Sequence, residues 1–241
     1  MLNKRAFFSS VFVKLENSIF VFGGSDTDTS DLAVCEKYSL IESVWRPIAP
    51  MKIARNGTAA VMFENYRLIF VFAGNNHKTQ GSLLSIEKYA IDYDKWQVID
   101  VQLKRAIHDM QVMQSTKDRV LIFGGHTDTD GPNKDVELLD LSTDCYVSKY
   151  GKVLALPVAS DGGKTYFPPM YDPITNKLHL IFGYCDEAPF MEEIDFGNFM
   201  DFFRLPRTLS NSVRQSATGS LAGGGLDSIK GRTSITALDL S

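Results

Sequence analysis

The side chains that could carry chemistry are few and scattered. Four histidines (His77, His108, His126 and His179) and three cysteines (Cys35, Cys145 and Cys185) offer no pair at metal-ligand spacing. His126 directly follows Gly125, and His77 lies three residues past Gly74, so both fall near one rim of whatever scaffold carries them. The run Asp128-Thr129-Asp130-Gly131-Pro132-Asn133-Lys134-Asp135-Val136-Glu137 has the acids of a calcium loop. It lacks the spacing, because an EF-hand needs its turn glycine sixth and a Glu twelfth, whereas here glycine is fourth. No Gly-x-Ser-x-Gly, phosphate-binding loop or dinucleotide fingerprint occurs. The chemistry that remains is recognition by charged loops: Asp26, Asp28 and Asp31, then Asp128, Asp130 and Asp135, set against Asn75-Asn76-His77-Lys78 and a recurring arginine series, Arg5, Arg55 and Arg105. No cofactor or metal is expected.

The elements that position these loops are repeated. Four apolar runs end in a small-residue step: Ile19-Phe20-Val21-Phe22-Gly23-Gly24, Ile69-Phe70-Val71-Phe72-Ala73-Gly74, Val120-Leu121-Ile122-Phe123-Gly124-Gly125 and Leu180-Ile181-Phe182-Gly183. The closing glycines at 24, 74, 125 and 183 are 50, 51 and 58 residues apart. A bulky residue follows each by 13 to 15 positions (Tyr38, Tyr89, Leu139, Phe196), and an aromatic comes seven further on (Trp45, Trp96, Tyr146, Phe203). A basic residue precedes each by 19 or 20: Arg5, Arg55, Arg105 and Lys164. Four marks in register, four times over, constitute a repeat.

Each unit reads as strands. The runs before the glycines are short, rich in Val, Ile and Phe, and bounded by turn residues such as Glu64-Asn65 and Lys117-Asp118. Four strands per unit are expected: one from the basic residue, one ending at the glycines, one through the Tyr position and one through the Trp position. A four-stranded sheet of this size cannot bury both faces alone, whereas radial stacking buries them, so the fold class is an all-β propeller of four-stranded blades.

The glycine doublet after an aromatic strand, the Tyr about 14 residues later and the Trp seven beyond resemble kelch repeats. The resemblance covers about residues 5 to 205 and weakens in unit four, which has a single glycine, Phe at both aromatic places and the stretch Phe167-Pro168-Pro169. It implies a kelch-type β-propeller with blades near 5–50, 55–101, 105–155 and 164–205, serving mostly as a protein-interaction platform. Residues 206–241 are rich in Ser and Gly and read either as a tail or as a degenerate fifth, closing blade. A piece of a longer kelch chain is a further reading. An open propeller has raw strand edges, which invites closure by the C-terminal strand or completion by a partner.

The antiparallel strand order puts the post-glycine loops and the inter-blade loops on one face. The expected protein-binding set there is Asp26, Asp28, Asp31, Arg55, His77, Lys78, Arg105, His108, His126, Asp128 and Asp130. The arginines have a second reading, in which they hydrogen-bond backbone carbonyls and pair with acids between blades. Tyr38, Trp45, Tyr89 and Trp96 are expected to pack between blades. The resemblance implies an adaptor or a subunit of a larger, cytoskeletal assembly, cytoplasmic in location. Its enzyme alternative is a sugar mutarotase, isomerase or metal oxidase using the central channel.

Composition bounds the remaining classes. The 241 residues carry 25 Lys+Arg against 29 Asp+Glu, a net charge of −4 that argues against a basic nucleic-acid binder. No apolar run approaches the roughly 18–20 residues of a membrane helix, and the start lacks the unbroken apolar core of a signal peptide. Three scattered cysteines favour a reducing compartment, so Asn56-Gly57-Thr58, a formal glycosylation sequon, is expected to stay unmodified.

Overall fold

The computed structural model describes residues 1–27, 30–78, 81–116, 119–133, 135–141, 147–155, 170–172, 174–175, 177–182 and 190–195. Asp28, Tyr146, Lys164, the 167–169 prolyl stretch, Gly183, Phe196, Phe203 and the 206–241 tail lie outside them. Within the described residues the chain is all β, with three single-turn 3₁₀ segments and no α-helix. Among the described residues no helix is long and apolar enough to cross a membrane.

Three sheets each contain four antiparallel strands in sequential order. Blade one is β1 (Ser9–Val13), β2 (Ser18–Phe22), β3 (Cys35–Ser39) and β4 (Val44–Ile48). Blade two is β5 (Ala59–Phe63), β6 (Leu68–Phe72), β7 (Gly81–Ala90) and β8 (Lys95–Ile107). Blade three is β9 (Gln111–Thr116), β10 (Arg119–Phe123), β11 (Asp135–Leu141) and β12 (Val147–Ala155). A fourth sheet has three described strands, β13 (Met170–Asp172), β14 (Lys177–Phe182) and β15 (Phe190–Asp195). The second strand of each blade stops at the Phe before its glycine step, and Tyr38 pairs with Trp45 just as Tyr89 pairs with Trp96.

Alternation along these strands makes both faces of a blade apolar, so each face needs a neighbour. Val13, Phe20, Phe22 and Cys35 of blade one pack with Met62, Ile69, Val71, Tyr89 and Trp96 of blade two. The other face of blade two, with Phe63, Phe70, Phe72 and Ile86, packs with Val112, Val120, Ile122 and Leu139 of blade three. Trp96 stands edge-on to Phe22, with ring centroids 5.5 Å apart, and donates its indole N–H to the Ala49 carbonyl in the linker between the blades. The expected packing between blades is observed for Tyr89 and Trp96, whereas Tyr38 and Trp45 stack on one another and are half-exposed. The first strands of neighbouring blades also meet, with Ser9 Oγ 3.2 Å from Thr58 Oγ1.

A buried ion pair ties each of the first two blades to the segment leading into it. Arg55 and Glu87 are wholly buried and 2.9 Å apart. Arg55 also donates to the carbonyls of Ala73 and Ser85, while Glu87 accepts the backbone N–H groups of Lys52 and Ile53. Blade one repeats the arrangement: Arg5 donates to Glu36 at 2.6 Å and to the carbonyls of Gly23 and Val34, while Glu36 accepts from Leu2 and Asn3. These pairs lie within a blade rather than between blades. Each carboxylate meets a guanidinium and two backbone N–H groups, which offsets the desolvation cost of burial, although Arg5 Nε is left without a partner among the described residues.

Arg105 does not continue the series. The residue after each anchor forms a bridge with the residue after the glycine step: Ala6 with Ser25, Asn56 with Asn75, and His108 with His126. The third anchor position is therefore Ile107, 2% exposed in the core between blades two and three, whereas Arg105 is exposed on β8. A shorter hairpin accounts for one residue of this slip, and the 20 residues from Arg105 to Gly125, against 19 for Arg5 and Arg55, account for the other. Ser9 pairs with Phe22 and Ala59 with Phe72, 13 residues apart, but Gln111 pairs with Phe123, 12 apart. Counting back from the glycine thus reaches a different structural place in blade three.

Glu87→Ala strands the buried Arg55 charge and two backbone N–H groups. It is expected to lower unfolding stability by about 3–5 kcal/mol in chemical denaturation. Arg105→Ala, at the surface, is expected to change stability by less than about 1 kcal/mol.

Candidate protein-interaction face

The face is built from the turns that follow the glycine steps. Gly24, Gly74 and Gly125 have φ of 95°, 92° and 84°, and a Cβ at each would stand 2.6, 2.5 or 2.6 Å from the carbonyl oxygen of Ala6, Asn56 or His108. Glycine is required there both for its backbone conformation and because the inter-blade segment passes directly over it. That close approach, with the bridges it permits, brings the post-glycine loops and the inter-blade loops to one face. Each loop then folds back as a short ladder: Ser25–Thr27 with Ser30–Asp31, Asn75–Asn76 with β7, and His126–Thr127 with Gly131–Pro132.

The loops are fastened to one another across the blade boundaries. Asp31 of blade one has a buried carboxylate that accepts the His77 backbone N–H at 2.6 Å and the Asn56 side-chain amide, and it lies 3.0 Å from His77 Nδ1. Asp128 of blade three accepts the Ser82 N–H at 2.6 Å and the Ser82 hydroxyl at 2.8 Å. The Ser82 oxygen lies 2.8 Å from His108 Nδ1, and because its only proton goes to Asp128, Nδ1 of His108 carries the hydrogen. A chain of backbone bonds runs alongside, from Asp109 N–H to the Gly57 carbonyl and from Gly57 N–H to the Phe7 carbonyl.

These bonds set the electrostatics. The Ser82 N–H holds the Asp128 carboxyl below the usual aspartate range against some desolvation, with the Ser82 hydroxyl and His108 adding to the effect. Beneath the face, burial pushes the Glu36 carboxyl up, but the hydrogen bonds from Asn3, Leu2 and Arg5 outweigh it and hold the group below the usual glutamate range. Desolvation pulls Arg55 below the ordinary arginine value, opposed by Glu87. Burial drives the Cys35 thiol up to about 12, which leaves it protonated and unreactive at neutral pH.

Of the expected binding residues, Asp26, His77, Lys78, Asp128 and Asp130 are exposed at this rim, and His108 and His126 are half-buried with rings 6.0 Å apart. Asp31 lines the rim but its carboxylate is enclosed, Arg55 is wholly buried beneath it, Arg105 lies on β8, and Asp28 is outside the described residues. Asn56 is 8% exposed with its amide held by Asp31, so the sequon is closed to a glycan. Sequence reasoning missed Ser82 and Asn56, which join the face through partners 46 and 25 residues away. It also missed Glu36 and Glu87, although both stand two residues before the Tyr mark. Among the described residues no group of three or more His, Cys, Asp or Glu is placed to hold a metal ion.

Residues 5–52 match the Kelch motif. Kelch-like protein 23 of Pongo abelii is 36% identical over 87 residues, covering 36% of this chain and 14% of that protein. Kelch-like protein 23 of Homo sapiens is 34% identical over the same span, again 14% of its length. The solved structure of YjhT superposes with a TM-score of 0.58 at 12% identity, covering 73% of this chain and 58% of that one, a likeness of fold.

Lowering the pH is expected to weaken the blade-one anchor. The depressed Glu36 pKa contributes stability that is complete above the unfolded value of about 4.3 and is lost as pH falls through the lower folded value. Glu36→Gln is expected to reduce stability at pH 7 and to flatten this acid limb, measured by denaturant midpoints between pH 7 and 2.

Proposed function

We propose, from the premise that this chain is a kelch-repeat β-propeller protein, that it acts as a non-catalytic binder of other proteins through the rim carrying the post-glycine loops. The observation that carries this reading is the cross-blade fastening of the loops. Asp31 and Asp128 fix loops from three blades into one surface, and Asp26, His77, Lys78, Asp128 and Asp130 project from it. A pre-ordered surface binds without the entropy cost of arranging its loops. Mixed charge on a rigid rim selects a partner more than it adds raw affinity.

The kelch-like relatives support a protein-interaction role. The finer reading is a scaffold or adaptor subunit of a larger assembly, cytoplasmic and associated with the cytoskeleton, built from blades near 5–50, 55–101, 105–155 and 164–205. Among the described residues, the one meeting of hydroxyl, imidazole and carboxylate at the rim does not support the enzyme alternative. Ser82, His108 and Asp128 meet, but Ser82 is 7% exposed and its hydroxyl already donates to the carboxylate, which is the geometry of a fastener rather than of an activated nucleophile.

The test is a charge-reversed rim, Asp26→Lys with Lys78→Glu and Asp130→Lys, in the full chain. Its thermal midpoint is expected to stay within a few degrees of the parent, while affinity for the proteins that co-purify with the parent falls at least about tenfold, or ~1.4 kcal/mol. An unchanged partner set, or a stoichiometric sugar or metal ion in the native particle, would overturn the reading.

A further inference from the structure

The end of each blade opposite the rim is formed by two turns, one between its first and second strands and one between its third and fourth. Blade one places Leu15 and Ile41 at the second residue of these turns, 72% and 76% exposed. Blade two has Asn65 and Asp92 at the same places, also exposed. Blade two packs against a described blade on either side, so the cover that a neighbour supplies stops short of these turns. The turns do not require an apolar residue either, because the repeat builds them with polar ones. Leu15 and Ile41 therefore serve something other than the fold of blade one.

The two turns of blade one are neighbours, with the Leu40 N–H donating to the Asn17 carbonyl at 3.0 Å. A pocket of about 270 Å³ opens beside them. It lies on the side of blade one that faces blade two, since Lys37 and Arg46 in its wall share a row with Phe20. Ile41 and Val44 flank it, and its charges are matched from within. Lys37 meets Glu16 at 3.1 Å and Arg46 meets Glu42 at 2.8 Å. Across the blade boundary Arg67 joins Glu16 to Asp92, next to Tyr93, which is 75% exposed. A charged partner would have to break these pairs, and an anionic lipid surface would find no spare cation among them. The volume falls below the roughly 300–1,000 Å³ of a small-molecule site and suits one or two apolar side chains.

We infer that the turn end of blade one is a second docking surface, and that its occupant is an uncharged apolar segment of a partner protein. The segment sets a side chain between Ile41 and Val44 and covers Leu15. The rim selects by charge and this end by apolar contact, so one propeller joins two different proteins. The inference does not use the rim, and its failure would leave the rim reading intact.

The full chain is expressed in its native host with the photo-crosslinking amino acid p-benzoylphenylalanine in place of Ile41, and the peptides joined to it on irradiation are sequenced by mass spectrometry. The expected product is a segment of another protein that is apolar and uncharged around the crosslink, formed equally in the charge-reversed rim variant. Leu15→Asn with Ile41→Asp, which copies blade two, is expected to weaken binding of the crosslinked protein at least about tenfold. Its thermal midpoint is expected to stay within a few degrees of the parent, and binding by the parent to be indifferent to added salt. A crosslink to this chain's own residues, to a second copy, to lipid or to a charged segment would overturn the inference. So would the absence of any crosslink, or full affinity in the double variant.

Discussion

A four-stranded sheet that is apolar on both faces must be covered twice. Alternation along β6 sends Ile69 and Val71 toward blade one and Phe70 and Phe72 toward blade three, so neither face of blade two can be left to water. Each blade is thus stable only as part of a stack, and the spacing of the repeat follows from how much chain makes one such sheet. At the working end the glycines complete the design. They let the inter-blade segment cross the top of each sheet at a distance no side chain tolerates, which is why charged loops collect there.

The polar interior answers a different need. Hydrophobic faces tolerate sliding, but a guanidinium that must meet two carbonyls and a carboxylate does not. Arg5 with Glu36 and Arg55 with Glu87 hold the segment entering a blade at one height on its third strand. Blade three achieves the crossing with Ile107 inside an apolar core instead. The rim fasteners continue the same logic outward. Asp31 and Asp128 bind groups of the neighbouring blade, so a displacement between blades would break charge-assisted hydrogen bonds at the rim.

The strands and their order in the first three blades, and the packing of Tyr89 and Trp96, were legible in the sequence because they rest on local patterns: an apolar run, a glycine step, and Tyr and Trp a hairpin apart. Two things were not. Arg105 falls within one residue of the expected distance from Gly125 by count, yet the hairpin between β9 and β10 is one residue shorter than its counterparts, and spacing alone does not register that slip. The rim fasteners join residues such as Asp31 with His77 and Ser82 with Asp128, 46 positions apart, which no local pattern marks. The glutamates were recoverable, since Glu36, Glu87 and Glu137 all stand two residues before the Tyr38, Tyr89 and Leu139 marks. Only the buried arginines show what that mark is for.

Hydrogen exchange of the dilute full chain, followed by mass spectrometry, bears most directly on the claim that neighbouring blades hold each other folded. Amides in Leu68–Phe72, in a sheet covered on both faces, are expected to exchange slowest, and those of Val44–Ile48, at the outer edge of its blade with Val44 39% exposed, fastest among the described blade strands. Glu87→Ala is expected to accelerate exchange in blades one and two together. Equal protection of both segments, or an effect of Glu87→Ala confined to blade two, would contradict the account.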